Sequence, residues 1–480
     1  FLAAITYGAV AVPILHEFKP ANVAHLVEHS DARLLFVGGA VWDNLSYEDF
    51  SFLDAVVRYP GYEVVLANKV SVKKLRDRMD TKFEEKYPHG YAADDIDYFR
   101  DKPSDLALIS YTSGTSGFSK GVMIPFRALF SNITFATEVE PQMDNTSNML
   151  SILPSAHMFG MMFEFLFEMA IGAHVHFLTR LPSPRILLEA FSSVKPDAIV
   201  TVPIIIEKLY KNIVLPAVSK RARKLFLNIP VVDQFILNRI NGRLKEALGG
   251  KFKEVIIGGA PFNREVEQFL HKMNFPYTVG YGMTECAPII TFAPSDCTRL
   301  YSCGKPAPRM SVRVDSRDPL NIPGEILIKG DNVFSGYYKN DKATASAFTR
   351  DGWFHTGDVG VFDKEGFLYI RGRKKSMILG PSGQNIYPEE IESVIDNMEE
   401  VTESLVIEDN GLLVALIYPD IRKMNIEQYS QSEIDRTCRE LLSKVNGQLP
   451  KYSQISAVEL VPEEFEKTPK HSIKRYLYQR

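Results

Sequence analysis

Apolar and polar positions follow two different patterns along the chain. In the first 281 residues, short β-branched and aliphatic runs recur between segments with helical spacing. The strand-like runs are Ala32–Gly39, Glu63–Asn68, Asp105–Tyr111, Asp197–Pro203 and Lys253–Gly259. Continuous apolar strands separated by helices are typical of parallel sheets covered on both faces. The pattern therefore predicts an α/β fold, in which ligands bind beyond the C-terminal ends of the strands.

The pattern changes after Ser302. From there to Ile370, short alternating strands are separated by Gly and Pro turns, which predicts a small antiparallel barrel-like subdomain. Beyond the Gly372–Ser376 stretch, the tail has helix and strand patterns of its own. We therefore predict a large N-terminal domain over residues 1–372, with the barrel-like subdomain at about 302–370, and a small α+β C-terminal domain over residues 373–480.

Composition narrows the classes of function. The 480 residues carry 55 Lys and Arg against 59 Asp and Glu, a net charge of −4, which gives no electrostatic reason to expect nucleic acid. Four scattered cysteines form neither a disulfide framework nor a zinc motif. No window reaches the roughly 20 apolar residues of a membrane span. We expect a cytoplasmic protein with at most peripheral membrane contact, and, since the sequence opens at Phe1, further residues upstream.

The first chemical signal is a turn rich in glycine and hydroxyl groups between two apolar runs. Its candidate residues are Thr112, Ser113, Gly114, Thr115, Ser116, Gly117 and Lys120. Glycine turns present backbone N–H groups, hydroxyls add donors and lysine adds positive charge, so the stretch predicts a polyphosphate cradle. A flexible surface loop is the alternative, but the apolar flanks disfavour it. A Walker-type loop is also disfavoured, because it needs Gly at Ser119 and Ser or Thr at Gly121.

Six motifs in order carry a family resemblance. "YTSGTSGFSKGV" resembles the phosphate-binding loop of the adenylate-forming (AMP-binding) enzymes, which include acyl-CoA synthetases, luciferases and peptide adenylation domains. The motifs that follow it are "GGAP", "GYGMTE", "GWFHTGD", "GRKKSMI" and "NIYPEEIE". The resemblance covers nearly the whole chain. Within the family, the sequence resembles bacterial long-chain fatty acyl-CoA synthetases.

The resemblance implies a reaction in two steps. A carboxylate attacks the α-phosphorus of ATP, which releases pyrophosphate and gives an acyl-adenylate, and a thiol then displaces AMP. ATP, Mg²⁺ and coenzyme A are the implied cofactor and co-substrates. Positioning and neutralisation of phosphate charge are the main tasks of the protein in such chemistry.

The resemblance also assigns roles at the nucleotide. The turn from Thr112 to Lys120 holds the β- and γ-phosphates, and Thr284 donates to the α-phosphate. Glu285 is the Mg²⁺ ligand, since a hard cation prefers carboxylate oxygen. The remaining nucleotide positions are an adenine wall at Gly259, Ala260 and Pro261, a stacking ring at Tyr281 followed by Gly282, and ribose contacts at Asp358 and Arg373.

Two further assignments concern the hinge and the acyl group. Lys375 matches the hinge about which the small domain rotates, whereas Lys374 is interpreted as a solvated linker charge. His157 is expected near the acyl carboxylate, and the Met- and Phe-rich run after it is either an alkyl tunnel or packed core. The stretch from Asn145 to Met162 contains no acidic residue that could pair with an ammonium group. An unsubstituted fatty or other apolar carboxylic acid is therefore expected, and the resemblance implies a medium- to long-chain fatty acid.

One position departs from the family pattern. Relatives carry a catalytic lysine near the C-terminus, and the aligned residue here is Ser472. Either the first half-reaction is slow, or Lys470 or Lys474 has taken over. Three functions stay open at this stage: transfer to coenzyme A, transfer to the phosphopantetheine of acyl carrier protein, or a weakened relative that only binds nucleotide and acyl groups. The oligomeric state is open too, with a dimer as one candidate.

Overall fold

The computed structural model describes residues 1–112, 120–180, 182–215, 234–380, 384–421, 424, 429–468 and 473–480. These residues form two compact units. One comprises Phe1–Arg127 with Phe334–Thr344, and the other comprises Ala128–Val333 with Ala345–Arg480. Each unit is described separately below.

The first unit contains five strands. They are β1 (Leu34–Gly38), β2 (Ala55–Tyr59), β3 (Glu63–Ala67), β4 (Leu106–Thr112) and β5 (Lys120–Pro125). β1 pairs parallel with β2, and β2 pairs antiparallel with β3. β4 and β5 form an antiparallel pair, so the strand before the glycine-rich turn is not flanked by a parallel neighbour on that side. The segment 335–338 adds backbone hydrogen bonds along β5, which explains why residues 334–344 belong to this unit.

The helices of the first unit lie before and between these strands. They are Leu2–Thr6, Pro20–His29, Gly39–Trp42, Val70–Asp77 and Met79–Lys86. Pro20 is the first residue of its helix, where its missing N–H costs nothing and its fixed φ suits the helix. Val23, Leu26 and Val27 form the buried face of that helix. The spacing of three and four residues is the apolar period read from the sequence.

The second unit begins with parallel pairing. Its first strands are β6 (Asn148–Ser151), β7 (His174–Phe177), β8 (Ile199–Thr201), β9 (Val255–Ile257) and β10 (Tyr277–Val279). β6 pairs with β7, and β9 lies between β8 and β10, all in parallel. A parallel bridge between Met149 and Ala198 joins the two groups. The associated helices are Phe126–Val139, Met158–Met161, Phe167–Ile171, Pro184–Val194, Pro203–Leu209, Gln234–Ala247 and Arg264–Lys272.

Antiparallel strands follow. They are β11 (Tyr281–Gly282), β12 (Ile289–Phe292), β13 (Lys305–Pro306), β14 (Met310–Asp315), β15 (Gly324–Gly330), β16 (Phe354–Phe362) and β17 (Leu368–Arg373). β14 to β17 form one four-stranded sheet in chain order, and the helix Asp341–Ala347 lies between β15 and β16 in sequence. Leu368 of β17 exchanges two backbone hydrogen bonds with residues 303 and 304, which precede β13. These bonds connect the last strand of the four-stranded sheet to the segment before β13, and the barrel-like subdomain at about 302–370 stays a prediction.

The tail has a core of its own. Its strands are β18 (Ile378–Leu379), β19 (Asn385–Ile386), β20 (Val401–Asp409), β21 (Leu412–Pro419) and β22 (Ala457–Leu460). The helices Pro388–Ile395 and Gln431–Asn446 pack on the β20–β21–β22 sheet through Ile391, Ile395, Leu441 and Val445. Ser430 and Glu433 form a capping box that begins the longer helix.

The α/β fold class with a large N-terminal and a small C-terminal part is confirmed. The domain boundary at residues 372–376 stays a prediction, as do a cytoplasmic location and the oligomeric state. No helix in the part of the chain that the structure describes is long and apolar enough to cross a lipid bilayer.

Candidate active site

Two turns lie side by side at the C-terminal edge of the parallel sheet. Because β9 and β10 are parallel neighbours, the residues that follow them meet at the same edge. The Gly280 N–H donates to the Ile257 carbonyl at 2.9 Å, and the Gly258 N–H donates to the Thr201 carbonyl at 3.1 Å. Gly259 has a φ of 87°, a left-handed conformation that favours glycine. The predicted adenine wall at 259–261 is therefore a tight turn next to the start of β11.

A hairpin carries the predicted phosphate and metal residues. The Met283 N–H donates to the Pro288 carbonyl at 2.8 Å and closes the turn between β11 and β12. Thr284 and Glu285 form a buried 3-10 turn inside it. A Cβ on Gly282 would lie 2.3 Å from the Pro288 carbonyl oxygen, so the two strands approach as closely as they do only because this residue is glycine.

The sequence analysis missed the residue that holds this hairpin in place. Asn132, on the helix Phe126–Val139, is fully buried. Its Nδ2 donates to the Cys286 carbonyl at 3.1 Å, and its Oδ1 accepts from the Ile289 N–H at 3.1 Å. The signal was present in the sequence, because Asn132 occupies the apolar stripe that Ala128, Phe135 and Ala136 define. A polar side chain in such a stripe indicates a specific buried partner.

Tyr281, Asp358 and Arg373 form one hydrogen-bonded group, which we name the Asp358 cluster. The Tyr281 hydroxyl donates to Asp358 Oδ2 at 2.6 Å, and Arg373 Nε lies 2.9 Å from Asp358 Oδ1. Register explains the second contact, since Asp358 on β16 is paired directly with Arg373 on β17. The Asp358 side chain is only 8% exposed, whereas 59% of the Arg373 side chain is accessible. The structure thus brings together three residues that lie 92 positions apart at most (373 − 281).

Burial dominates the electrostatics of this cluster. It raises the pKa of Asp358 above the ordinary value, and the positive charge of Arg373 together with the hydrogen bond from Tyr281 offsets part of that shift. Burial and the neighbouring carboxylate also raise the pKa of Tyr281 well above 10. The phenol therefore stays a donor, and the carboxylate retains acceptor capacity for a further partner, since each carboxylate has about four lone-pair sites.

His157 begins a segment that reaches Gly258 of the nucleotide turn through Phe159. It caps the helix Met158–Met161, where its Nδ1 accepts from the Phe159 N–H at 3.3 Å. The Phe159 ring is 3.2 Å from the position that a Cβ on Gly258 would occupy. From Met158 to Phe163 the Met and Phe residues of this run are buried, and Phe159 and Phe163 continue an edge-to-face series with Phe135, whereas Met169 and Phe177 are exposed. The first part of the run thus forms packed core, and an alkyl tunnel stays a prediction.

Lys374 has a specific partner, contrary to its interpretation as a solvated linker charge. Its Nζ lies 2.8 Å from the carboxylate of Glu325, which is 8% exposed and also contacts His355 Nδ1 at 3.1 Å. Burial raises the pKa of Glu325, but the hydrogen bonds from Lys374 and His355 outweigh it, so that pKa lies below its usual value. Local sequence could not reveal this pair, because Glu325 is 49 residues away. Lys375 is exposed, and its hinge role stays a prediction.

The residues predicted for the phosphate loop lie mostly outside the described residues. Thr112 ends β4 and Lys120 begins β5, and the two are direct register partners, so the ends of the loop meet in the first unit. The Lys120 ammonium lies 4.5 Å from the centroid of the Tyr337 ring. The residues not described include the predicted cradle members Ser113, Gly114, Thr115, Ser116 and Gly117.

The C-terminal lysines differ in what the structure describes. Lys474 Nζ lies 2.9 Å from the Glu466 carboxylate, and the Lys474 N–H donates to the Glu466 carbonyl at 2.8 Å. An antiparallel bridge between Lys467 and Ile473 accompanies these contacts. Lys470 and Ser472 lie outside the described residues. The Lys474 ammonium is therefore committed to a neighbouring carboxylate.

Glu285 is the side chain to which the sequence analysis assigns Mg²⁺. Among the described residues, no group of three or more His, Cys, Asp or Glu side chains could hold a metal ion. Mg²⁺ that accompanies nucleotides is usually bound by one or two carboxylates together with phosphate oxygens and water. A single hard carboxylate at Glu285, on the hairpin beside the nucleotide turn, fits that kind of site.

Comparison with known proteins identifies the family. The sequence pattern of the family described as "AMP-binding enzyme" matches residues 1–338, and that of the "AMP-binding enzyme C-terminal domain" matches residues 375–480. The chain belongs to the AMP-binding enzyme family. The resemblance predicted from the six motifs is confirmed.

Curated AMP-binding relatives include fatty-acid ligases. The chain is 28% identical over 479 residues to Long-chain-fatty-acid–CoA ligase 6 of Mus musculus, covering 92% of this chain and 66% of the relative. It is 31% identical over 352 residues to Long-chain-fatty-acid–CoA ligase 1 of Homo sapiens, covering 67% of this chain and 49% of the relative. The chain thus spans less than two thirds of the length of these relatives.

Solved AMP-binding enzymes share the fold. ATP-bound MatB from Rhodopseudomonas palustris superposes with a TM-score of 0.75 at 23% identity, covering 99% of this chain and 84% of that protein. The O-succinylbenzoate coenzyme A synthetase MenE from Bacillus subtilis, in complex with AMP, gives a TM-score of 0.72 at 21% identity, with coverages of 99% and 84%. At this identity the likeness establishes the fold.

Proposed function

We propose that the protein activates a fatty carboxylic acid with ATP, releases pyrophosphate and transfers the acyl group from the adenylate to the thiol of coenzyme A. The observation that carries the proposal is the buried Asp358 cluster. Its Tyr281 directly follows Gly280, which is bonded to Ile257 at the strand edge that ends in the 258–261 turn, and it precedes the Thr284–Glu285 hairpin by a few residues. The names of the curated relatives supply the substrate class, a long-chain fatty acid, and the acceptor, coenzyme A.

The Asp358 cluster suits a ribose. A buried carboxylate that is already oriented by Tyr281 and Arg373 can accept hydrogen bonds from two vicinal hydroxyls without reorganising. The exposed part of the Arg373 guanidinium is available to a phosphate oxygen, to which it is geometrically matched. The turn at Gly259, Ala260 and Pro261 offers a flat surface with small side chains, as adenine requires.

The hairpin suits the reacting phosphate. In this proposal Thr284 donates to the α-phosphate, and Glu285 holds Mg²⁺ together with phosphate oxygens. The metal supplies positive charge that stabilises the leaving pyrophosphate. The contribution of the protein is rigidity, because Asn132 and the close approach at Gly282 fix the hairpin. In this proposal the β- and γ-phosphates are bound by the loop from Thr112 to Lys120.

The acyl end is assigned to the His157 segment. His157 lies at the start of a helix whose next residues border Gly258, so a carboxylate placed there would be near the nucleotide turn. The surrounding side chains are Met and Phe, which favour an apolar acid over a charged one. Medium or long chain length follows from the relatives and stays part of the proposal.

Of the two lysines proposed to replace the usual catalytic lysine, the Lys474–Glu466 contact favours Lys470. Because that ammonium is already paired 2.9 Å from a carboxylate, Lys470 becomes the stronger candidate of the two. Unchanged acyl-adenylate formation in a Lys470→Ala/Lys474→Ala double variant would refute both. Comparison of the two single variants then distinguishes them, with the larger loss expected for Lys470→Ala.

A panel experiment tests the proposed function. Pyrophosphate release is measured with ATP, Mg²⁺ and acids from acetate to palmitate, with coenzyme A and acyl carrier protein offered separately. We expect release with fatty acids and thioester formation with coenzyme A. Thioester formed only on the carrier protein supports the alternative acceptor. Nucleotide binding without release of pyrophosphate from any acid supports a binding module, the alternative that Ser472 motivates.

A further inference from the structure

Polar contacts hold the helix Pro388–Ile395 against the segment that follows the nucleotide turn. Asn263 Nδ2 donates to Asn397 Oδ1, just beyond the end of that helix. The Arg264 guanidinium lies 3.4 Å from the Glu390 carboxylate, and Arg371 of β17 lies 3.5 Å from the same oxygen. We name these contacts the latch. Two of them join residues that are 126 and 134 positions apart in sequence, and the Arg371–Glu390 contact spans 19 positions.

Asn263 ties the latch to the nucleotide turn. It follows Pro261 by two residues, and its backbone N–H donates to Glu207 at 3.2 Å. Its Oδ1 caps the helix Arg264–Lys272 by accepting from the N–H groups of residues 265 and 266 at 3.0 and 3.1 Å. The backbone and side-chain oxygen of Asn263 are thus fixed by the large domain. Its side-chain Nδ2 donates to Asn397, so a shift of the 258–261 turn would move the group to which Asn397 is bonded.

We propose that Asn397 and Glu390 are positioning residues whose contacts with Asn263 and Arg264 set how often the C-terminal segment leaves this docked arrangement. The inference rests on the proposed function, in which two half-reactions need different placements of that segment. Neither residue touches substrate. Each acts through the position of the C-terminal segment, and a nucleotide in the 258–261 turn would be sensed through Asn263.

The contacts are of a strength that suits a reversible latch. A neutral hydrogen bond and a partly exposed ion pair together shift a two-state equilibrium by roughly three- to tenfold. Arg264 and Glu390 have side chains 46% and 30% exposed, which places their pair in the weak class. A much stronger contact would trap the docked arrangement, whereas a shift of this size lets the segment leave in each turnover.

The test uses Asn397→Ala combined with Glu390→Gln in the full chain. Asn397 is changed instead of Asn263, since loss of the Asn263 cap would destabilise its helix for an unrelated reason. Glu440→Gln is the matched control, because this glutamate lies on the C-terminal helix Gln431–Asn446 with a loose pair to Arg436 at 3.8 Å. Two quantities are measured: the rate of trypsin cleavage at residues 373–375, and the ratio of pyrophosphate release without thiol to thioester formation from supplied acyl-adenylate.

We expect the double variant to be cleaved three- to tenfold faster at residues 373–375 and to change the ratio of the two half-reactions at least threefold. The Glu440→Gln control should match the wild type in both. An active double variant with unchanged cleavage and an unchanged ratio overturns the inference, and so does an equal change in the control. Faster cleavage with an unchanged ratio overturns the positioning role. A wild-type protein that releases no pyrophosphate overturns the proposed function instead, a result that the cleavage rates do not mimic.

Discussion

Asp358→Asn isolates the negative charge at the proposed ribose site. The substitution keeps side-chain volume but replaces an acceptor-only carboxylate, bonded to Tyr281 at 2.6 Å and Arg373 at 2.9 Å, by a neutral amide. Hydrogen bonds to a charged group contribute about 1.5–3 kcal/mol, against about 0.5–1.5 kcal/mol for neutral ones. The difference over two ribose hydroxyls predicts a loss of ATP affinity of about 1–3 kcal/mol, or roughly 5- to 150-fold.

Calorimetric titration with ATP and Mg²⁺ measures this loss, and urea unfolding monitors stability. Asp363→Asn is the matched control, since Asp363 lies between β16 and β17 of the same sheet, accepts two backbone N–H groups at 2.9 Å and pairs with Arg299 at 2.9 Å. We expect both variants to lose stability but only Asp358→Asn to lose ATP affinity. An unchanged dissociation constant in a folded Asp358→Asn protein, or the same loss in the control, refutes the ribose assignment.

Three further outcomes are expected. Gly282→Ala should abolish most pyrophosphate release, since its Cβ would lie 2.3 Å from the Pro288 carbonyl oxygen. Gly280→Ala should reduce pyrophosphate release only slightly, because its Cβ would lie 3.6 Å from the nearest neighbouring atom. Asn132→Ala should lower the free energy of unfolding by about 2–4 kcal/mol in urea titrations, because two buried backbone groups lose their partner. Burial raises the pKa of Glu164 to about 8, so the folded state binds this proton more tightly than the unfolded chain does. The free energy of unfolding therefore falls as pH rises from about 5 to about 8, by at most ~1.4 kcal/mol per pH unit. Glu164→Gln should flatten that dependence, and an unchanged slope would show that Glu164 titrates normally.

Much of the fold could be predicted because its signals are local. The runs at 253–259 and 197–203 contain the parallel strands β9 and β8, and the glycine turn after β9 lies where a strand end should present it. Alternation between 302 and 370 gave the antiparallel sheet for the same reason, since a period of two needs no knowledge of the partner strand. The family resemblance named Tyr281, Asp358 and Arg373 one by one, as a stacking ring and ribose contacts, but not the hydrogen bonds that join them.

The remaining features depend on pairings that local pattern does not encode. β4 was recognised as a strand, but its apolar run does not mark its antiparallel pairing with β5. The Lys374–Glu325 pair and the Asn263–Asn397 contact each join distant segments, so neither charge nor composition marked them. Asn132 is the exception, because a polar residue in an apolar stripe could have been recognised as a buried anchor.

A crystal structure with ATP and Mg²⁺ tests the central claim most directly. The account predicts the ribose hydroxyls on Asp358, adenine against residues 259–261, the α-phosphate at Thr284 and the outer phosphates in the loop from Thr112 to Lys120. A triphosphate bound elsewhere, with Asp358 still paired only to Tyr281 and Arg373, would contradict it.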